Sequence, residues 1–311
     1  MAVEASTRES YGKTLVELGK QNRDIIVLDA DLSPSTMTRF FAREFPDRFV
    51  DCGLEEQNMI GIAAGLAASG KIVFASTFAV FAYRCFDQLR MCLSQPKLNV
   101  KIVATHGGIT VGEDGTSHQA IEDLALYCAL PSFTVVVPAD AIETAGAVNA
   151  AADVYGPFYI RLGRSKTPLV YSEGYRFALG KAVTMRQGGD VTIVATGIMV
   201  AEALEASDLL AKQGIDCRVL NIHTIKPLDE DAIVKAALET GAIVVAEEHL
   251  AHGGLGSRVA QTLAREKPVP VEFVNLGDRY AESGKAEKLL QKYGLTAEDV
   301  ERAVKAVIKR K

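Results

Sequence analysis

A chain of 311 residues with an apolar share of 48% and a charged share of 23% has the composition of an ordinary globular protein with about two domains. Its net charge of −5 argues against a nucleic-acid surface, which needs a basic face, and the lack of an apolar run of about 18 residues argues against a membrane span. The polar N-terminus is unlike a secretory signal, and five scattered cysteines without paired spacing indicate reduced thiols, so we expect a cytoplasmic protein.

Short apolar runs rich in Val and Ile alternate with amphipathic stretches along the chain. This alternation is typical of an α/β protein whose sheets are mainly parallel and are flanked by helices. In chain order we predict helix 11–20, strands 25–28, 72–75, 100–104 and 134–137, helix 141–154, strand 191–195, helix 200–213, strands 217–220, 243–246 and 271–274, and a mostly helical tail over 285–311.

The alternation of apolar runs and amphipathic stretches stops between residues 166 and 190, where glycines and a proline interrupt the pattern. Such composition is typical of a domain boundary. We therefore predict two α/β domains, over residues 1–165 and 189–311, joined by a linker over residues 166–188.

A first polar cluster, residues 28–36, directly follows a predicted strand. Ligands of open α/β sheets bind beyond the carboxyl ends of the strands. A serine at this point could instead only cap the next helix. The cluster offers four polar side chains in the ligand position: Asp29, Asp31, Ser33 and Ser35.

A second cluster, residues 51–59, leads into a helix of small side chains over residues 61–70. Glu55 and Glu56 fall in its first turn, where the helix dipole favours acids. Glu56, heading a helix that can pack closely, would be desolvated and suited to share a proton with a ligand nitrogen. Because Gly and Ala gain little from burial in their own domain, we expect this helix to approach another surface closely. Packing on the sheet of its own domain is the alternative.

A third cluster, residues 105–119, again follows a strand and holds two of the five histidines. His106, Asp114 and His118 could ligate a metal by residue type, but they match neither zinc-site nor EF-hand spacing. A polar substrate site is favoured instead. P-loop and dinucleotide-binding fingerprints are missing from the sequence, and the glycines that follow His249 predict only a turn into a helix.

Together these stretches resemble the transketolase family, specifically its separately encoded C-terminal half, over essentially the whole chain. The run Val111-Gly-Glu-Asp-Gly-Thr-Ser-His-Gln119 is highly specific, and its combination with Leu54-Glu-Glu-Gln-Asn-Met59 is stronger still. The resemblance implies a pyrimidine-binding domain followed by a smaller C-terminal α/β domain. The family's Gly-Asp-Gly signature for the cofactor diphosphate and its magnesium is missing here, which implies that this domain is a different polypeptide. Other matching segments are residues 6–8, 29–35, 76–78 and 161–164.

The resemblance implies which residues meet the cofactor, thiamine diphosphate. Glu56 matches the glutamate that hydrogen-bonds the pyrimidine ring nitrogen and so activates the cofactor. Phe78 and Phe81 match aromatic residues packing around that ring, whereas Arg84 stands where the family usually has Tyr. Asp31 matches a pocket residue near the cofactor.

The resemblance also implies which residues meet the substrate. His106, Asp114 and His118 match groups that recognise sugar hydroxyls, and the two histidines would assist proton transfers. Arginine can hold a phosphate through two hydrogen bonds at once, which suits it to a sugar phosphate. Three residues match the family's phosphate clamp: Arg8, Ser35 and Arg164.

The implied reaction moves a two-carbon ketol unit from a ketose phosphate to an aldose phosphate, as in the pentose phosphate pathway. Thiamine diphosphate carries the carbon chemistry. An N-terminal transketolase subunit would hold the diphosphate and Mg²⁺, so no metal ligand is assigned to this chain. We expect a heterotetramer with two copies of each chain, and neither a nucleic acid nor a membrane as partner.

Three alternatives remain open. A 1-deoxy-xylulose-5-phosphate synthase shares the Glu-Gln pair and an arginine matching Arg164, but the segment over residues 29–35 and the split chain disfavour it. The β subunit of a 2-oxo-acid dehydrogenase is also a half-enzyme, but has no obvious use for the phosphate clamp. A non-catalytic subunit would have no reason to retain Glu56 and both histidines.

Overall fold

The computed structural model describes residues 3–311, which form 14 strands and 12 α-helices. The strands are β1 (Glu4–Ala5), β2 (Ile25–Asp29), β3 (Phe49–Asp51), β4 (Ile72–Phe78), β5 (Val100–Thr105), β6 (Thr134–Val136), β7 (Phe158–Arg161), β8 (Thr167–Pro168), β9 (Val183–Arg186), β10 (Val191–Ala195), β11 (Cys217–Asn221), β12 (Thr224–Lys226), β13 (Ile243–Ala246) and β14 (Val271–Val274). The helices are α1 (Thr7–Gln21), α2 (Ser33–Thr36), α3 (Arg39–Glu44), α4 (Glu56–Ala68), α5 (Phe86–Gln88), α6 (Asp123–Ala129), α7 (Ala141–Asp153), α8 (Met199–Ala211), α9 (Glu230–Thr240), α10 (Leu255–Glu266), α11 (Ala286–Tyr293) and α12 (Ala297–Ile308).

The first sheet has seven strands in the order β12-β6-β7-β5-β4-β2-β3. All neighbouring pairs are parallel except β12 with β6, which is antiparallel. The central strands β4 and β5 are buried almost throughout, which explains their continuous apolar runs. Because β12 comes from the second half of the chain, the two halves share this sheet.

The second sheet has five strands in the order β14-β13-β10-β11-β9, parallel except for β9, which runs antiparallel to β11. Two mainly parallel sheets flanked by helices confirm the predicted α/β class. Between them, the segment over residues 166–188 contains β8, which pairs with β1, and β9, the edge strand of the second sheet.

Candidate active site

The predicted site residues gather at one edge of the first sheet. The neighbouring strands β2, β4, β5 and β7 are parallel, so their carboxyl ends meet there and bring residues far apart in the chain together. Glu56 joins them as the first residue of α4, which follows β3. The residues that end or follow these strands are Asp31 and Ser35 (β2), Phe78, Phe81 and Arg84 (β4), His106, Asp114 and His118 (β5), and Arg164 (β7).

Two phenylalanines and two histidines form an aromatic cluster within this edge. The Phe78 and Phe81 rings are nearly parallel, with centroids 5.4 Å apart. The His106 ring stacks on Phe78 at 3.6 Å, and His118 meets the edge of Phe81 at 5.4 Å. Phe81 and His118 are half-buried, so a ligand can reach one side of this cluster, which we call the aromatic wall.

Glu56 places a nearly buried carboxylate beside this wall, with an exposure of 4%. Its Oε2 lies 3.4 Å from Nη1 of Arg84, whose guanidinium covers the Phe81 ring at 5.5 Å. The Gln57 amide donates to the Arg84 carbonyl at 2.8 Å and so fixes that segment. Arg84 therefore joins the carboxylate to the aromatic wall.

His106 has a left-handed backbone with φ of 63°, which is uncommon for a residue other than glycine. Its Nδ1 lies 2.8 Å from the Thr105 hydroxyl. Burial, followed by the nearby cations Arg8 and Arg164, lowers the pKa of His106 from 6.5 to about 3. At neutral pH the imidazole is uncharged, so it can donate or accept a hydrogen bond but cannot act as an imidazolium acid.

The three residues of the phosphate clamp also come together. Arg8 donates from Nη1 to the Ser35 carbonyl at 2.6 Å and from Nη2 to the Arg164 carbonyl at 2.9 Å. It lies in the first turn of α1, where the helix dipole disfavours a cation, so its placement there gains from an anionic ligand. Asp114 lies 3.4 Å from Nη1 of Arg164, so a residue matched to hydroxyl recognition forms an ion pair with the clamp.

The loop after β2 is ordered by its own polar contacts. Asp29 is buried and accepts from the Leu32 N–H at 2.6 Å and from the hydroxyls of Thr36 and Thr38. It therefore faces inward rather than toward a ligand, and burial raises its pKa to about 6. The Asp31 carboxylate is exposed, and no serine side chain caps α2.

Sequence reasoning missed two site residues from the second domain. Lys285 is exposed and lines a cleft of about 490 Å³ with Arg8 and Arg164. A single exposed lysine carries no local signal in the sequence. Glu248 is buried and accepts from the Thr110 N–H at 2.7 Å. Two adjacent acids directly after the apolar strand β13 were an available signal for it.

Helix α4 has two different faces. One face packs within its own domain, so the expectation that the helix gains little from burial there was wrong. On the other face, a Cβ atom built at Gly61 or Gly65 would meet nothing within 4 Å. Nearby, Leu54 is 71% and Met91 47% exposed. The buried face consists of Glu56, Met59, Ile60, Ala63 and Ala67.

Within residues 3–311, no group of three or more His, Cys, Asp or Glu side chains is arranged to hold a metal ion. In the same range, no helix combines the length and the apolar character needed to cross a membrane.

The order of the two domains is that of a known architecture. Residues 3–170 match the transketolase pyrimidine-binding domain, and residues 180–300 match the transketolase C-terminal domain. The chain therefore belongs to the transketolase family.

Several relatives have the length of this chain. A Methanocaldococcus jannaschii protein named as a transketolase C-terminal section is 45% identical over 308 residues, which cover 97% of this chain and 96% of that protein. The 6-deoxy-6-sulfo-D-fructose transketolase subunit SqwH of Clostridium sp. (strain MSTE9) is 44% identical over 305 residues, which cover 98% and 95%. A solved structure of a split-gene transketolase, in an inactive β4 tetramer, is 53% identical with a TM-score of 0.93 and covers 98% and 99%. The predicted correspondence to the separately encoded C-terminal half of a transketolase is confirmed.

We expect acid to destabilise the fold through His106. Its pKa is about 3 when folded and 6.5 when unfolded, so between these values the unfolded chain binds more protons. The stability that this histidine contributes is complete above about pH 6.5 and is lost as the pH falls toward 3. Urea unfolding at about pH 7 and about pH 5 should show that wild type loses roughly 2 kcal/mol more than His106→Gln. Equal losses in the two proteins would contradict the burial of a neutral imidazole.

Proposed function

We propose that this chain is the C-terminal subunit of a split, thiamine-diphosphate-dependent transketolase that transfers a two-carbon ketol unit between sugar phosphates. One observation carries the proposal. The Glu56 carboxylate, the aromatic wall and the phosphate clamp lie at one edge of the first sheet, where a cofactor ring and a sugar phosphate can be held side by side. The relatives of matching length support the split form.

The residues beside the aromatic wall fit the aminopyrimidine of thiamine diphosphate. The Glu56 carboxylate can accept about four hydrogen bonds, and Arg84 lies 3.4 Å from one of its oxygens, so acceptor capacity remains for a ring nitrogen. Phe78 and Phe81 offer the apolar surface that a planar ring needs. When bound, the cofactor supplies a stabilised carbanion for the carbon chemistry. Glu56 would hold and share the proton of the pyrimidine nitrogen.

The substrate side of the site fits a sugar with an anionic end. Arg8, Arg164 and Lys285 line one cleft and can hold a phosphate by charge-assisted hydrogen bonds. His106 and His118, which belong to the aromatic wall, would present ring nitrogens to sugar hydroxyls. His106 is uncharged at neutral pH, so it would orient the substrate by hydrogen bonds.

The site also needs a second polypeptide and a second copy of this chain. The partner subunit would bind the cofactor diphosphate and Mg²⁺, completing a cytoplasmic heterotetramer in the pentose phosphate pathway. The open face of α4 begins beside Glu56 and lacks side-chain bulk, so it suits close approach of another chain. The split-gene relative forms an inactive tetramer of its own β chains, which supports self-association without activity.

The decisive test is reconstitution with the N-terminal transketolase section from the same source. The mixture should exchange two-carbon units between sugar phosphates, and neither chain should do so alone. Glu56→Gln keeps the shape of the side chain but cannot accept the pyrimidine proton, so we expect turnover to fall at least about 10²-fold. Glu55→Gln is the matched control, because Glu55 is the exposed neighbour in the same turn. Normal turnover in Glu56→Gln would remove it from the mechanism.

We expect Arg8→Ala and Arg164→Ala to raise KM for phosphorylated sugars far more than for unphosphorylated ones. Loss of one charge-assisted hydrogen bond costs about 1.5–3 kcal/mol, which corresponds to about 10- to 150-fold. Arg176→Ala removes an exposed arginine outside the cleft and should leave both constants unchanged. An equal effect on both substrate types would show that Arg8 and Arg164 serve the fold rather than the phosphate.

We expect Gly65→Leu to break self-association and the activity of the reconstituted complex together. The leucine has room within its own chain, so the domain should fold, but it would hold a second α4 helix away. Lys235→Leu places the same residue on an exposed position of α9 and serves as the control. Light scattering and the exchange assay measure the two effects. A fully associated, active Gly65→Leu protein would exclude α4 from the interface.

A further inference from the structure

The turn that carries His106 is held by groups from two domains. After the left-handed His106, the Gly107 N–H donates to the Leu162 carbonyl at 3.1 Å, and the Gly108 N–H donates to the Ala120 carbonyl at 2.7 Å. Gly108 also has a positive φ of 85°. A left-handed backbone at a residue other than glycine, such as His106, persists only where surrounding contacts hold it in place.

Glu248 closes this turn from the second domain. It follows β13, is 4% exposed, and its Oε1 accepts from the Thr110 N–H at 2.7 Å. A Cβ atom at Gly108 would overlap the Glu248 carboxylate, and one at Gly107 would overlap the Arg161 side chain. Gly108 is therefore in close contact with the Glu248 side chain, and Gly107 with the Arg161 side chain.

Arg161 fixes Glu248 in turn. Its guanidinium donates to the Glu248 carbonyl at 3.0 Å and to the Ala120 carbonyl at 3.0 Å, and forms an ion pair with Asp123 at 2.8 Å. Arg161 is 5% and Asp123 0% exposed. Buried charges paired in this way are expensive to disturb, so the Glu248 backbone that carries the carboxylate is held in place.

Further second-domain contacts brace the rest of the cluster over residues 105–119. The Thr116 hydroxyl donates to the Ala281 carbonyl at 2.7 Å, and the Gln119 amide donates to the Glu282 carbonyl at 3.0 Å. These contacts involve backbone carbonyls on the second-domain side. Among the second-domain side chains, Glu248 is the one that bonds the turn next to His106.

We propose that Glu248 is a positioning residue, through which the second domain fixes the His106 imidazole for the substrate. The proposal rests on the function proposed above, in which His106 contacts the sugar. Glu248 acts on the backbone that carries His106 rather than on the reacting atoms. The second domain thereby shapes the active site through the backbone, in addition to supplying Lys285 to the cleft.

Glu247 provides a matched control. It is also buried, with an exposure of 1%, and its carboxylate also accepts backbone N–H groups, from Leu255 and Gly256 at 2.7 Å each. Those groups begin α10, within the second domain. Variants of Glu247 and Glu248 therefore disturb the same kind of interaction, but only those of Glu248 release the His106 turn.

The first experiment is a double-mutant cycle in the reconstituted complex. Glu248→Met fills the space without an acceptor, and Glu248→Gln retains an acceptor oxygen. We expect Glu248→Met to lower kcat/KM for the sugar phosphate about 10- to 100-fold and Glu248→Gln to restore it to within about fivefold of wild type. On a His106→Gln background, Glu248→Met should have almost no further effect, whereas Glu247→Met should act independently of His106. Additive effects of Glu248→Met and His106→Gln would overturn the proposal.

The second experiment does not depend on activity. The chain has five histidines, so spectra of protein with ¹³C-labelled histidine are simple, and His106→Gln identifies the His106 ring signal. Glu248→Met should shift that signal and move its titration toward the ordinary value near 6.5, whereas Glu248→Gln and Glu247→Met should leave it at the wild-type position. An unchanged signal in Glu248→Met would overturn the positioning role. A shifted signal in a complex that exchanges no sugar phosphates would retain that role and refute the proposed function instead.

Discussion

The left-handed backbone at His106 is the constraint on which the rest of the site depends. A non-glycine residue in this conformation, buried against Phe78, costs on the order of 1–3 kcal/mol and must be held from outside. The first domain supplies part of that support through the Leu162 and Ala120 carbonyls. The second domain supplies the rest through Glu248. Two domains therefore meet at one turn, and the fold of each is needed to shape it.

The same edge leaves one side of the site open. Glu56 is nearly buried, yet the helix that it begins exposes Gly61 and Gly65, with Leu54 and Met91 close by. The open face of this helix carries so little side-chain surface that it gains from burial only if another backbone approaches closely. The open face of α4 therefore supports the second copy of this chain proposed above.

The sequence predicts the parts of this structure that depend on local pattern. Each of the eight predicted strands begins at the same residue as the corresponding observed strand, because buried parallel strands have short continuous apolar runs in the sequence. Strands β7 and β12 were not predicted, and β12 pairs with β6 across the domains. The sequence motifs also indicated the candidate site residues, which the structure brings together at one edge of the first sheet. Lys285 and Glu248 could not be assigned, since their importance comes from the packing of the second domain against the first.

The charge state of His106 follows from the relative size of the effects that lower its pKa. Burial has the largest effect, and the cations Arg8 and Arg164 have smaller ones. An anion bound between the two arginines would offset their effect on the pKa of His106, but it would not remove the effect of desolvation. The imidazole would therefore stay uncharged with the phosphate in place. His106 then serves as a fixed hydrogen-bonding group whose orientation matters more than its charge. Such a group depends on the backbone that orients it, so under the proposal above a carboxylate that bonds this backbone from the second domain affects the reaction. His118 is half-buried, which leaves it as the histidine of the pair that water reaches more readily.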